Sequence, residues 1–228
     1  MPPDKKGRKP TDNRPSPQKV KAILDILDLH YPDARCSLQF NSPLELLIAT
    51  ILSAQCTDVR VNQVAPVLFK KYPTAGAYAE APIEQIEEDI RSTGFFRNKA
   101  RNIKACCGIL HERFGGAVPA DLDVLVTLPG IGRKTANVVL GNAFQIPGIV
   151  VDTHVARVSA RLGLTSHKDP DKIEQDLVTI IPKEKWTVFS HQLIQLGRDL
   201  CRARKPMTSD CPLRTHCTYA LEHSGRDE

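Results

Sequence analysis

The chain predicts an all-α fold on three observations. Apolar residues recur at three- and four-residue steps, capping residues head several of those runs, and strand-like alternation is nearly absent. In the first helix Val20, Ile23, Leu24 and Leu27 follow Lys19, and Tyr31-Pro32 closes the run. Ser42-Pro43-Leu44-Glu45 reads as a capping box with proline at the first helical position. Behind it Leu44, Leu47, Ile48, Ile51 and Leu52 share one face, and the helix ends near Ser53-Ala54-Gln55. A third helix is expected to start at the cap Asp58 and to carry Val61, Val64, Val67 and Leu68, with Pro66 kinking or restarting it. Further helices are predicted over 82–92, 98–114, 121–128, 133–144, 152–162, 170–180 and 186–201, while 146–151 reads as an extended linker.

Residues 1–17 hold five prolines and five basic residues, Lys5, Lys6, Arg8, Lys9 and Arg14, against Asp4 and Asp12. Such a segment cannot bury enough apolar surface to order itself and is expected to be a disordered basic tail. It supplies +3 of the net charge of +5, so nucleic-acid binding has to be argued from local clusters and not from the total. No apolar stretch approaches the roughly 18 residues of a membrane span, and the first residues are no secretory signal. The chain is therefore read as intracellular, without membrane partners. Seven cysteines in such a chain point to thiolate ligands or buried thiols before disulfides.

Between the predicted helices 121–128 and 133–144 lies Pro129-Gly130-Ile131-Gly132. Glycine at both places allows positive φ and close backbone approach, and Ile131 is expected to pin the turn to the core. The unpaired N–H groups of the following helix, with Arg133 and Lys134 in its first turn, form a ready phosphate site. Leu128-Pro129-Gly130-Ile131-Gly132-Arg133-Lys134-Thr135-Ala136 resembles the helix–hairpin–helix of the endonuclease III family. Leu52-Ser53-Ala54-Gln55, Gly94-Phe95-Phe96-Arg97-Asn98-Lys99-Ala100 and Val151-Asp152-Thr153-His154 resemble further motifs of that family in the same order. The resemblance spans roughly 19–220. It implies a six-helix barrel domain over 36–147, a second helical domain from 18–35 and 148–228, and double-stranded DNA with damaged bases in the cleft between them. If the source is bacterial, the cytoplasm and nucleoid follow as its place.

In that family the implied activity is a base excision repair glycosylase for oxidised pyrimidines that also nicks the strand as an abasic-site lyase. Lys134, in the first turn of a helix where the macrodipole disfavours a protonated amine, is the candidate nucleophile for a sugar C1′ and a Schiff base. Asp152 stands directly before an apolar-periodic helix with Val155, Val158 and Leu162 and reads as its N-cap. The resemblance adds a catalytic role, a carboxylate stabilising positive charge on the sugar.

A base inside a duplex has to be flipped out and its place filled. By resemblance Gln55 enters the vacated stack, Phe95 is a wedge, and Leu128, Gly130, Gly132, Arg133 and His154 lie against DNA, with Thr153 beside the pocket. Arg91, Arg97, Lys99, Arg101 and Lys104, with no acidic residue among them, are expected to contact phosphates.

Cys201, Cys211 and Cys217 fall in register with three positions of the family's C-x6-C-x2-C-x5-C pattern, which holds a 4Fe-4S cluster, but Thr208 stands at the second position. A cluster on three cysteines with Thr208, Asp210 or solvent as the fourth ligand, a zinc site completed by a histidine such as His216, and no metal are the alternatives. The iron cluster is the preferred reading. Cys36, Cys56, Cys106 and Cys107 read as small buried residues. A monofunctional mismatch glycosylase and a non-catalytic helix–hairpin–helix DNA-binding protein remain as other functions, and with no heptad seam a monomer is the default.

Overall fold

The computed structural model describes residues 15–223, and helices are the only regular elements among them. Helix α1 (Pro17–His30) begins where Ser16 Oγ accepts the Lys19 N–H at 3.2 Å with Pro17 in the first turn. The expected tail therefore yields Ser16 and Pro17 to the helix, and its residues before 15 lie outside the described part. Ahead of α2 (Pro43–Leu52), Ser42 Oγ accepts the Glu45 N–H. The Glu45 carboxylate turns back to the Asn41 N–H at 2.6 Å, so the box closes one residue earlier than its usual form. From Leu46 to Leu52 every residue of α2 is buried, because a helix apolar on all sides is stable only at the centre of a core.

Thr57, not Asp58, caps α3 (Asp58–Lys71), which leaves the Asp58 carboxylate for other partners. α3 runs through Pro66 without restarting; the proline sits exposed, where water can satisfy the carbonyl it cannot serve. Val67 is on the outer face, and the buried stripe is Val61, Ala65 and Leu68. The sequence reading passed over α4 (Ala75–Glu80), a short turn capped by Thr74 and too brief to show a period. The expected helix 82–92 is split into α5 (Ile83–Asp89) and a tighter turn, Arg91–Thr93. Next come α6 (Phe96–Phe114), α7 (Leu122–Leu125) and α8 (Arg133–Ala143). The chain ends in α9 (Thr153–Leu162), α10 (Pro170–Ile180), α11 (Trp186–Asp199) and α12 (Thr218–His223).

Two hydrophobic clusters result. One gathers residues of α2 to α8 around α2, which packs on α3, α6 and α8. The other brings α1 back against α9 to α12, with α11 packed on α9. Polar ties join the two. Arg198 on α11 meets Asp58 on α3 at 2.8 Å, His191 on α11 meets Asn142 on α8 at 2.9 Å, and Asn137 on α8 donates to the Ile149 carbonyl at 3.1 Å. Of the cysteines expected in the interior, Cys106 and Cys107 are buried, whereas Cys36 and Cys56 are only partly covered. Among the described residues no helix is long and apolar enough to cross a membrane.

Candidate active site and nucleic-acid interface

The hairpin before α8 is built by one left-handed glycine. Gly130 has φ +79, and a Cβ there would come within 2.8 Å of Asn102 Cβ on α6, so that position needs glycine for both conformation and space. Gly132 differs from the expectation of two positive φ values. At φ −92 and ψ 172 it is the extended N-cap of α8, and open space surrounds the place of its missing side chain. No side chain caps α8, so its first-turn N–H groups face outward, as an anion site requires. Ile131 is buried in the first cluster. Leu128, counted among the DNA contacts, is also buried there, and its side chain belongs to the core.

Arg133 already has a partner within the protein. Its Nε and Nη2 each donate at 2.9 Å to the two carboxylate oxygens of Glu174 on α10, a fork that ties the hairpin to the second cluster. A lost phosphate contact lowers the slope of log K against log salt by about 0.9. Arg133→Ala is instead expected to leave that slope near the wild-type value, as read by salt titration of duplex binding.

Lys134 is exposed and lies one residue inside α8. It lines a cleft of about 1280 Å³ together with Asp152, His191, Arg198 and Asp58, so residues of both clusters face one cavity. Asp152 is the N-cap of α9, as its position before the apolar run suggests. Its Oδ1 accepts the N–H groups of His154 and Val155, both at 2.8 Å. Its Oδ2 lies 3.0 Å from His154 Nδ1. The His154 ring is thus engaged with Asp152, and Gly197 of α11 lets it pack: a Cβ at 197 would stand 3.0 Å from His154 Cβ.

His191, Asn142, Arg198 and Asp58 were not found from sequence. His191 and Arg198, with Gln195 between them, recur at helical spacing on α11 and line the cleft, a polar stripe that a search for apolar period passes over. Burial, with the Arg198 charge second, holds the His191 pKa below its ordinary value, so the ring is neutral at neutral pH. The Asn142 oxygen can only accept, so His191 Nε2 carries the proton and Nδ1 is left as an acceptor.

Two exposed tips stand apart from the hairpin. Gln55, in the turn after α2, has φ +52, and Phe95, before α6, has φ +46 and is 63% exposed. Of the basic run, Arg97 and Arg101 are exposed, Arg91 pairs with Glu88, and Arg91 and Arg97 flank the Phe96 ring. Lys99 and Lys104 are not phosphate ligands. Lys99 is buried, and Lys104 donates to the carbonyls of Ala79 and Ala81 at 2.5 and 2.6 Å, ending α4.

Cys201, Cys211 and Cys217 come together in one loop after α11. Burial first, and then the neighbouring thiols, pushes the Cys211 and Cys217 thiols up. Arg161 donates to Cys201 Sγ at 3.2 Å and to the carbonyls of Arg202 and Ala203 at 2.7 and 2.9 Å, and Cys217 Sγ donates to the Arg161 carbonyl at 3.3 Å. Among the described residues no three His, Cys, Asp or Glu side chains converge on one point. Cys201 and Cys217 both act electrostatically on the Cys211 thiol, so the three sulfurs share one region of the loop, and thiolates are the donors an iron–sulfur cluster takes.

Comparison with known proteins agrees with this arrangement. The model of the HhH-GPD superfamily base excision DNA repair proteins matches residues 48–183. Endonuclease III of Synechocystis sp. is 53% identical over 204 residues, 89% of this chain and 93% of that protein. Endonuclease III of Bacillus subtilis is 46% identical over 201 residues, 88% of this chain and 92% of that protein. A solved structure of a trapped endonuclease III–DNA covalent intermediate, the estranged-adenine complex, superposes with a TM-score of 0.87 at 47% identity, covering 92% of this chain and 99% of that one. Sequence, fold and cleft together place this chain in the endonuclease III family of the HhH-GPD superfamily, the base excision DNA repair glycosylases.

Proposed function

We propose that this glycosylase removes oxidised pyrimidines from duplex DNA and then cuts the strand as an abasic-site lyase, with Lys134 as nucleophile and Asp152 as the catalytic carboxylate. The observation that carries the reading is the convergence of these two side chains, from α8 and from the cap of α9, on one cleft between two clusters. The two clusters act as domains, and the duplex lies across the cleft. The covalent DNA complex solved for a 47% identical endonuclease III supports a bond between protein and DNA here as well.

The α8 N–H groups and the exposed turn at Gly130 and Gly132 hold the backbone phosphate. Gln55 and Phe95 enter the stack as the damaged base leaves it. The Lys134 nitrogen then attacks C1′ through its lone pair; the glycosidic bond breaks, its electron pair leaves with the base, and the proton that the nitrogen sheds passes to the base. The Asp152 carboxylate stabilises the positive charge that grows on the sugar, while its N–H partners and the His154 ring keep it from turning away. The C1′–O4′ bond then breaks, O4′ keeps its electrons and takes up a proton from water, and the opened sugar is left as an iminium on Lys134. A proton is lost from C2′, the C3′–O bond breaks with its electrons on the 3′ phosphate, and water releases the enzyme. Release of thymine glycol from a duplex, with strand scission and a covalent adduct under borohydride, tests the reading. Binding without either product would leave a DNA-binding protein, and base release without scission a monofunctional glycosylase.

Cys201, Cys211 and Cys217 hold an iron–sulfur cluster, whose fourth ligand is not a thiolate because Thr208 stands in that position. Tied together by such a group, the three cysteines would brace the loop whose exposed Arg202, Arg204 and Lys205 meet phosphate, and the group would supply no chemistry to base release. Protein purified without oxygen is expected to contain iron and acid-labile sulfide, with a three-iron form appearing on exposure to air. An iron-free preparation that still folds and cleaves would overturn the assignment.

A further inference from the structure

Lys99 is only 4% exposed, and its ammonium donates to two carbonyls, Leu52 at 2.7 Å and Thr93 at 2.8 Å. These carbonyls stand at the roots of two different loops. Leu52 ends α2, three residues before Gln55, and Thr93 ends the Arg91–Thr93 turn, two residues before Phe95. Both tips hold a non-glycine residue at left-handed φ, +52 and +46, a conformation that persists only where the surroundings impose it. Burial pushes the Lys99 pKa down, while the Cys56 thiol, in the Gln55 loop, works in the opposite direction. The charge inside the protein is solvated by the two loop carbonyls, and the loops in turn are fixed to each other through the charge.

We propose that Lys99 is a positioning residue that couples the Gln55 and Phe95 loops, so that both side chains enter the duplex as one unit and base extrusion is a single step. This rests on the reading of Gln55 and Phe95 as the residues that penetrate the stack. It predicts a defect confined to extrusion: Lys99→Met keeps the stem and removes the donors, and neither Lys134 nor Asp152 loses a hydrogen bond to it.

The test follows 2-aminopurine placed beside thymine glycol in a duplex, whose fluorescence rises when its neighbour leaves the stack, together with single-turnover base release. A single-stranded oligonucleotide with an abasic site, which needs no extrusion, serves as the second substrate for borohydride trapping. Lys99→Met is expected to lose the fluorescence rise and to release base about 100-fold more slowly, with trapping on the single strand at the wild-type level. Should that variant melt below the assay temperature, Lys99→Gln, whose amide still donates, takes its place and is expected to recover part of the rise. Wild-type extrusion in Lys99→Met beside impaired Gln55→Ala and Phe95→Ala would overturn the coupling alone. Wild-type extrusion in those two loop variants would overturn the penetrating role and the coupling with it. Equal losses on both substrates in Lys99→Met would reduce Lys99 to a general structural lysine.

Discussion

Lys134→Gln is expected to lose the borohydride adduct completely and to slow base release and strand scission by about 10⁴-fold or more, because removing a nucleophile removes the whole covalent route. Duplex affinity is expected to change little. Lys134 is exposed at the start of α8, makes no hydrogen bond needed for the fold, and is followed by Ala136, Asn137, Val139 and Leu140, which anchor the helix in the core. The measurement is denaturing electrophoresis of an abasic duplex after reduction, wild type beside variant, at matched occupancy of the DNA. An adduct of undiminished yield in the variant would move the Schiff base to another amine, and the assignment of Lys134 would fall.

Asp152→Asn is the second large effect, and its cap makes it interpretable. Asparagine caps a helix about as well as aspartate, so the N–H groups of His154 and Val155 keep an acceptor and the melting temperature is expected to stay near that of the wild type. What is lost is the negative charge facing the reacting sugar and its pairing with His154. Base release is expected to slow by about 10² to 10⁴-fold, the usual range for a positioned acid or base. Asp152→Ala removes the cap as well and is expected to cost about 1 kcal/mol of stability in addition. Single-turnover release and thermal melts of both variants separate the two roles; an Asn variant that melts normally and releases base at the wild-type rate would confine Asp152 to capping.

Much of this site could be read locally. Lys134 sits behind a glycine hairpin and Asp152 at the head of an amphipathic helix, and both features are set by a few adjacent residues. The longer helices followed from apolar period, while the six-residue α4 and α12 were too short to show one, and ends moved by one to three residues because caps compete: Thr57 took the place of Asp58, and Phe95 at left-handed φ opened α6 two residues before the expected start. Charge was the least legible part of the site. Arg133 and Lys99 look alike in sequence, two basic residues near a DNA motif, yet one is forked to Glu174 beside the second cluster and the other is buried under two carbonyls.

By itself the sequence determined the all-α class, the hairpin, the candidate amine at Lys134, the capping carboxylate and a cysteine loop one thiolate short of the family pattern, since each depends on residue type at fixed short spacing. Only the tertiary structure decided which cations are free to meet phosphate, that Leu128 is core, that His191 and Asp58 share the cleft with Lys134, and that Lys99 joins two loops. The partners in these cases lie up to 140 residues apart, as with Asp58 and Arg198. A side chain's role is set by the acceptor it reaches, and that acceptor is chosen by the packing of whole helices rather than by its neighbours in the chain.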